Sequence, residues 1–127
     1  MTFPYPDPVV IALLDDLLPA LDGRISITLD STLPAVRITK VGDREEPSPT
    51  EITPLFQVEI WGVDEFDTGQ IAWDLYNRWP AIGRQRVGDA LVYGRWSATT
   101  PYPAPDDETD FARHILTVGI RLSGVST

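Results

Sequence analysis

Side chains able to do chemistry are few in this 127-residue sequence. It holds a single histidine, His114, and no cysteine, which excludes a disulfide framework, a thiolate zinc site and a cysteine nucleophile. A lone histidine acts as a general base or a metal ligand only when suitable partners converge on it. The alternating pattern of residues 113–124 places His114 on the apolar side of a strand. We therefore expect a buried structural histidine whose hydrogen bonds are satisfied.

Acidic residues occur as adjacent pairs at 15–16, 45–46 and 106–107. Neighbouring residues on a helix or a strand point apart, and the last two pairs lie in apparent loops without the spacing of a calcium-binding loop. The segment GRQRVGD (83–89) lacks the glycine spacing and the lysine of a phosphate-binding loop. The sequence also has no serine nucleophile elbow and no dinucleotide fingerprint. These patterns predict a protein that is not an enzyme and uses no metal or cofactor.

The sequence carries a formal charge of −9, from 19 acidic and 10 basic residues. The basic residues are scattered rather than clustered, which argues against tight binding to phosphate backbones. A negative surface suits either plain solubility or a surface that DNA passes without sticking. The N-terminus lacks a signal-peptide pattern, and no apolar stretch approaches the ~20 residues of a membrane span. We expect a soluble protein that is not secreted and contacts no membrane.

Two segments have the pattern of amphipathic helices. In residues 7–23, Asp7 stands at the N-cap position and Pro8 at the first helical position, and leucines and valine then recur at helical spacing. In residues 63–80, Asp64 is the candidate N-cap and the first turn is acidic. A proline ends or kinks each helix near its C-terminus.

Extended segments with alternating polarity make up much of the remaining chain. Alternation predicts strands with one buried and one polar face, and five segments show it: 24–29, 33–42, 55–62, 89–98 and 113–124. The stretches 42–53 and 99–111 are long loops rich in proline and acidic residues. The order of elements predicts a single α+β domain over residues 1–127, with a mainly antiparallel sheet of four to five strands and both helices packed on one face.

The other face of this sheet is the candidate functional surface. Its residues lie opposite the apolar rows of their strands and include the arginine and tryptophan that protein interfaces favour: Arg37, Glu59, Trp61, Arg95 and Arg121. Which strands share a face depends on the register, which the sequence does not fix. The alternative is an ordinary solvated sheet face.

The order of the segments resembles a known family. A leucine-rich helix precedes LPAVRITKVGD and an acidic loop; FQVEIWG then leads into an amphipathic helix, and a proline-acid loop precedes ARHILTVGIRL. This order is similar to that of the tail terminator proteins of long-tailed (siphovirus-type) bacteriophages, particularly those of actinobacterial phages, over nearly the whole chain. The high proline content and Trp73, Trp79 and Trp96 depart from the common pattern.

The resemblance implies a structural virion protein, assembled in the host cytoplasm, that forms a hexameric ring at the head-proximal end of the tail. Such a ring caps the tail tube, stops its polymerisation and joins it to the head. Its partners would be further copies of itself, the major tail tube protein and a head-completion or connector protein. DNA would cross the lumen without specific binding, repelled by acidic loop residues if these face inward: Glu45, Glu46, Asp106, Asp107 and Glu108.

Two alternatives stay open at this point. Another head-tail connector, a head-closure protein or a minor tail protein would have a similar size and composition. A small ligand-binding domain or enzyme would need a pocket with converging polar groups. For a ring protein, we expect the two long loops to become ordered only on assembly.

Overall fold

A computed structural model describes residues 3–97 and 99–124. These residues form two α-helices packed on a seven-stranded, mostly antiparallel sheet, which confirms the predicted α+β class, with more strands than the four to five expected. The helices are α1 (Pro6–Leu17) and α2 (Glu65–Arg78), followed by short 3-10 turns at Pro19–Leu21 and Trp79–Ala81. The strands are β1 (Ile25–Ser26), β2 (Ala35–Asp43), β3 (Pro54–Gly62), β4 (Gln85–Val87), β5 (Ala90–Ser97), β6 (Tyr102–Pro103) and β7 (Ala112–Gly124).

Helix α1 begins before the predicted position. Tyr5 is the N-cap in an extended conformation, and Pro6 takes a place in the first turn that suits its fixed backbone angle. The prediction of Asp7 as N-cap is therefore wrong. Asp7 lies in the first turn, where a negative charge favours the helix, and accepts a hydrogen bond from the Tyr5 hydroxyl at 3.0 Å. The helix ends at Leu17, before Pro19, as the sequence predicted.

Helix α2 matches its prediction closely. The Asp64 side chain caps it by accepting a hydrogen bond from the Phe66 backbone N–H at 2.9 Å. Thr68, Ala72 and Leu75 recur at helical spacing and are buried against the sheet. Neither helix in the described residues has the length and apolar content to cross a membrane.

The sheet runs in the order β1-β2-β3-β7-β5-β4, with β6 beside the beginning of β7. Ile38, Val58 and Leu116 align across β2, β3 and β7 and are all buried. Both helices pack on this face, so it forms the core, as predicted. Large side chains of the core come from the helices, the second 3-10 turn and the strands, and include Leu14, Leu75, Trp79, Phe56, Ile60 and Leu122.

Short strands account for the differences from the predicted sheet. The segment 24–29 contributes only the two residues of β1, which pair parallel to β2. The strand stops there because polar side chains beyond it form hydrogen bonds with nearby backbone groups. For example, the Asp30 carboxylate accepts a hydrogen bond from the Thr32 N–H at 2.7 Å. Strands β4 and β6 are too brief to show alternation in the sequence. Ala98, the last residue of the predicted strand 89–98, lies outside the described residues.

Both long loops are held by hydrogen bonds within the single chain. Ile52 and Leu122 exchange two backbone hydrogen bonds of 3.0 Å, which fastens the first loop to the end of β7. The second loop includes β6, and the Ala104 N–H donates to the Arg113 carbonyl at 2.8 Å. Both loops are thus connected to β7 within the single chain, and their ordering on assembly stays a prediction.

Candidate assembly surface

The polar face of the sheet lies opposite the helices, where the strand registers bring four charged and aromatic side chains together. Arg37 on β2 is the direct neighbour of Glu59 on β3. Two residues further along β3, on the same face, Trp61 is the direct neighbour of Arg113 on β7. The sequence singled out the first three of these residues. It placed Arg113 on the polar side of its strand without assigning it a role. We call these four residues the arginine-tryptophan cluster.

A buried carboxylate lies at the centre of the cluster. Glu59 is only 3% exposed, although it lies on the face without helices. Arg37 donates hydrogen bonds of 3.0 and 2.8 Å to its two carboxylate oxygens, and the indole N–H of Trp61 donates a third of 3.2 Å. Arg113 adds an ion pair at 3.6 Å. These partners replace the hydrogen bonds to water that a buried carboxylate loses.

The Trp61 ring is covered by the two arginines. Their guanidinium carbons lie 5.7 Å (Arg37) and 5.1 Å (Arg113) from the ring centroid, within cation–π range. Arg113 also donates to the Ala104 carbonyl at 2.7 Å, which ties the second loop to the cluster. Glu59 and Trp61 are consequently buried in the single chain, whereas the Arg37 side chain is 36% exposed. The arginines, rather than the tryptophan, are the part of the cluster that another molecule can reach.

A second aromatic group lies further along the same face. The Trp96 indole lies directly on Gly119, where an added Cβ would come within 2.4 Å of the ring. The Arg44 guanidinium lies over the same indole, 4.7 Å from its centroid. The missing side chain of Gly119 therefore makes room for the tryptophan, and the arginine closes over it.

Arg121 connects this part of the face to the first loop. It forms ion pairs with Glu45 at 2.9 Å and with Glu51 at 3.8 Å. Burial, followed by hydrogen bonding to the Glu51 carboxylate, raises the pKa of the nearby Tyr93 hydroxyl. The tyrosine is therefore neutral at physiological pH. Arg121 is the cation that pairs with the two glutamates.

Arg95 does not lie on the polar face. The β5–β7 register shifts between Val92 and Gly94, and this bulge places Arg95 opposite Ile120 on the helix-covered side. Its guanidinium donates two hydrogen bonds, of 2.9 and 2.7 Å, to the Pro80 carbonyl. The expected placement of Arg95 is wrong because one extra residue inverts the alternation after the bulge.

His114 lies on the apolar face of β7, as predicted, and is 7% exposed. In the described residues neither ring nitrogen has a hydrogen-bond partner, so the expectation of a satisfied histidine is wrong. The ring packs against Gly69 of α2, where a Cβ would lie 3.1 Å from the ring carbon Cε1. Residues 3–97 and 99–124 contain no group of three or more His, Cys, Asp or Glu side chains arranged to hold a metal ion.

The acidic loop residues do not form one patch. Glu45 and Glu46 follow β2, in the loop fastened to the end of β7, whereas Asp106, Asp107 and Glu108 precede the beginning of β7. The first loop meets β7 at Arg121 and Leu122, so about ten residues of the strand separate the loops by roughly 30 Å. The structure therefore places the two groups near opposite ends of the sheet.

Comparison with known proteins supports the fold. No protein-family model and no curated protein matches the sequence. Among solved structures, a chain of a structure described as the virion of a native gene transfer agent particle is similar, with a TM-score of 0.57 and 14% sequence identity. The match covers 89% of this chain and 86% of that chain. The common fold thus spans almost the whole domain.

Proposed function

We propose that this chain is a structural protein of a phage-type virion and, more specifically, a tail terminator that caps the tail tube as a hexameric ring. One observation carries the proposal: nearly the full length of the chain shares its fold with a chain of a virion particle. The order of sequence segments supports the terminator role within that class. The chain acts by binding other proteins and performs no reaction.

The polar face supplies the protein contacts in this proposal. Arg37, Arg113 and Arg121 bring guanidinium groups to its partly exposed positions. Glu59 and Trp61 hold the first two arginines in place before any partner arrives. Side chains that are already ordered lose less conformational entropy on binding. We assign contacts with a sister protomer or the tail tube to this face. Arg95 is excluded from it because Arg95 lies on the helix-covered side of the sheet.

The two acidic loops line the DNA channel in the same proposal. A ring in which β7 runs around the circumference places Glu45 and Glu46 near one boundary between protomers and residues 106–108 near the other. Carboxylates that face the lumen at these boundaries repel DNA phosphates and keep the DNA moving. Lysine substitution of Glu46, or of Asp107 and Glu108, should leave ring assembly intact and slow DNA ejection, because these residues form no ion pair in the described part of the chain. Normal ejection from rings that carry both sets of substitutions would remove this assignment.

The decisive experiment offers the purified chain both tail tubes and portal-bearing heads. A tail terminator should appear by electron microscopy as a ring on tube ends, whereas a head-closure or connector protein should bind the heads. Arg121→Ala should weaken tube binding, while Arg78→Ala, which removes the same charge from the helix layer, should bind normally. Binding to heads in preference to tubes would replace the terminator proposal with the connector alternative.

A further inference from the structure

An exposed apolar patch lies at the end of β3 and the beginning of β7. Gly62 pairs with Ala112, so the residues just outside the ladder, Val63 and Phe111, lie side by side. Val63 is 79% exposed, Phe66 in the first turn of α2 is 69% exposed and Phe111 is 38% exposed. The patch borders a groove of about 180 Å³ that is also lined by prolines of the second loop. Exposed apolar groups of this kind mark interaction sites. We call Val63, Phe66 and Phe111 the aromatic corner.

Unpaired negative charge surrounds the aromatic corner. Asp64, Glu65, Asp67 and Asp110 lie in the same segments, and none of them forms an ion pair within residues 3–97 and 99–124. Like charges at this spacing repel one another, so a cationic partner with an apolar side chain would both neutralise the corner and cover it.

The β4–β5 hairpin of the same chain carries such a surface, with cationic side chains beside an exposed apolar one. Arg86 is the direct neighbour of Leu91, and Leu91 is the neighbour of Ser123, which places the exposed arginine and the leucine on the polar side of the sheet. Leu91 is 36% exposed. Arg84 lies just before the hairpin, and neither arginine forms an ion pair in the described part of the chain. The hairpin contains one acidic residue, Asp89.

The hairpin and the corner cannot meet within one molecule. The hairpin adjoins the end of β7, where Ala90 pairs with Gly124, and the corner adjoins its beginning. The 13 residues of the strand hold the two surfaces roughly 40 Å apart. Complementary surfaces at opposite ends of a protomer form head-to-tail contacts, and such contacts close into rings when the rotation permits.

We propose that the β4–β5 hairpin of one protomer docks on the aromatic corner of the next, with Leu91 covering the apolar residues and Arg84 and Arg86 neutralising the acidic residues around them. The proposal deepens, and rests on, the ring assembly proposed above. It selects a second copy of this chain as the occupant because both halves of the contact, opposite in charge and each with exposed apolar side chains, are present in every protomer.

Cysteine cross-linking tests the contact directly, and the chain offers a clean background because it has no cysteine. A variant carrying Leu91→Cys and Phe66→Cys, treated with a short bismaleimide, should give a ladder of dimers, trimers and larger species. The matched control pairs Leu91→Cys with Val41→Cys, a residue that is 53% exposed on β2, and should stay monomeric. Equal ladders from both variants, or no ladder from the first, would overturn the proposal.

Charge exchange gives a second, independent test by sedimentation velocity. Arg84→Glu with Arg86→Glu, and separately Glu65→Lys with Asp67→Lys, should each weaken self-association roughly tenfold or more. Circular dichroism checks that both variants fold. Mixing the two variants should restore part of the association, because the introduced glutamates of one variant's hairpin then meet the introduced lysines of the other variant's corner. If the mixture stays dissociated, or if only one of the two variants loses self-association, the head-to-tail contact is refuted.

The outcome separates this contact from the proposed function. Rings on tube ends without the Leu91–Phe66 cross-link would leave the terminator role standing and remove the contact. A cross-linked ladder from a chain that never binds tubes would support the contact and remove the terminator role.

Discussion

Glu59→Gln is the substitution that most sharply tests the arginine-tryptophan cluster. The change keeps the size and shape of the side chain and removes its negative charge. Glu59 is 3% exposed and accepts hydrogen bonds from Arg37 and Trp61, with Arg113 in ion-pair range. The variant leaves two guanidinium groups around the Trp61 ring without a counter-charge.

The expected loss of stability follows from the exposure of the partners. Removing one member of a fully buried ion pair typically costs ~3–5 kcal/mol. The side chains of Arg37 and Arg113 are 36% and 24% exposed, so water can take over part of their solvation. We therefore expect a loss of about 2 kcal/mol in the free energy of unfolding, which for a domain of this size lowers Tm by roughly 8 °C.

Urea unfolding followed by tryptophan fluorescence measures this loss. The matched control is Glu46→Gln, which makes the same chemical change at an exposed residue of the first loop and should alter stability by less than ~0.5 kcal/mol. A double-mutant cycle with Arg37→Met isolates the pair, since the loss from Glu59→Gln should shrink when the arginine is already absent. The reasoning is refuted if Glu59→Gln and Glu46→Gln are equally stable.

Three further substitutions test other parts of the fold. Gly119→Ala should lower stability by about 1–3 kcal/mol and change the tryptophan fluorescence, because the new Cβ displaces the Trp96 ring; unchanged values would contradict the packing. Burial, with repulsion from neighbouring aspartates, raises the pKa of Asp15. The charged form of Asp15 is therefore disfavoured in the folded state. The contribution of Asp15 to stability is lost as pH rises through its folded-state pKa. Asp15→Asn should accordingly raise Tm at pH 7, with the gain disappearing below the ordinary aspartate pKa, and an equal gain at both pH values would refute the electrostatic cause. His114→Leu should match or exceed the wild type in urea unfolding, because it removes two buried nitrogens without partners; a loss of several kcal/mol would show that the histidine is satisfied.

Elements with long periodic patterns were predictable from the sequence. Strands β3 and β7 alternate over many residues, and Asp64 with an acidic first turn fixes the beginning of α2. These local signals depend on side-chain periodicity and capping, which the sequence displays directly.

Features set by contacts between distant segments were not predictable. The bulge in β5 places Arg95 on the helix-covered side, and this effect depends on the register against β7. Alternation placed Glu59 and Trp61 on the polar face but gave no information on what covers them. Their burial arises from arginines on β2 and β7, which only the register brings together.

The lengths of growing tail tubes test the central claim most directly. Tail tube protein polymerised in vitro with increasing amounts of this chain should give progressively shorter tubes, each carrying a ring at one end, and the tubes should not resume growth when fresh subunits are added. Tubes that keep the same lengths and continue to grow in the presence of excess chain would contradict the account.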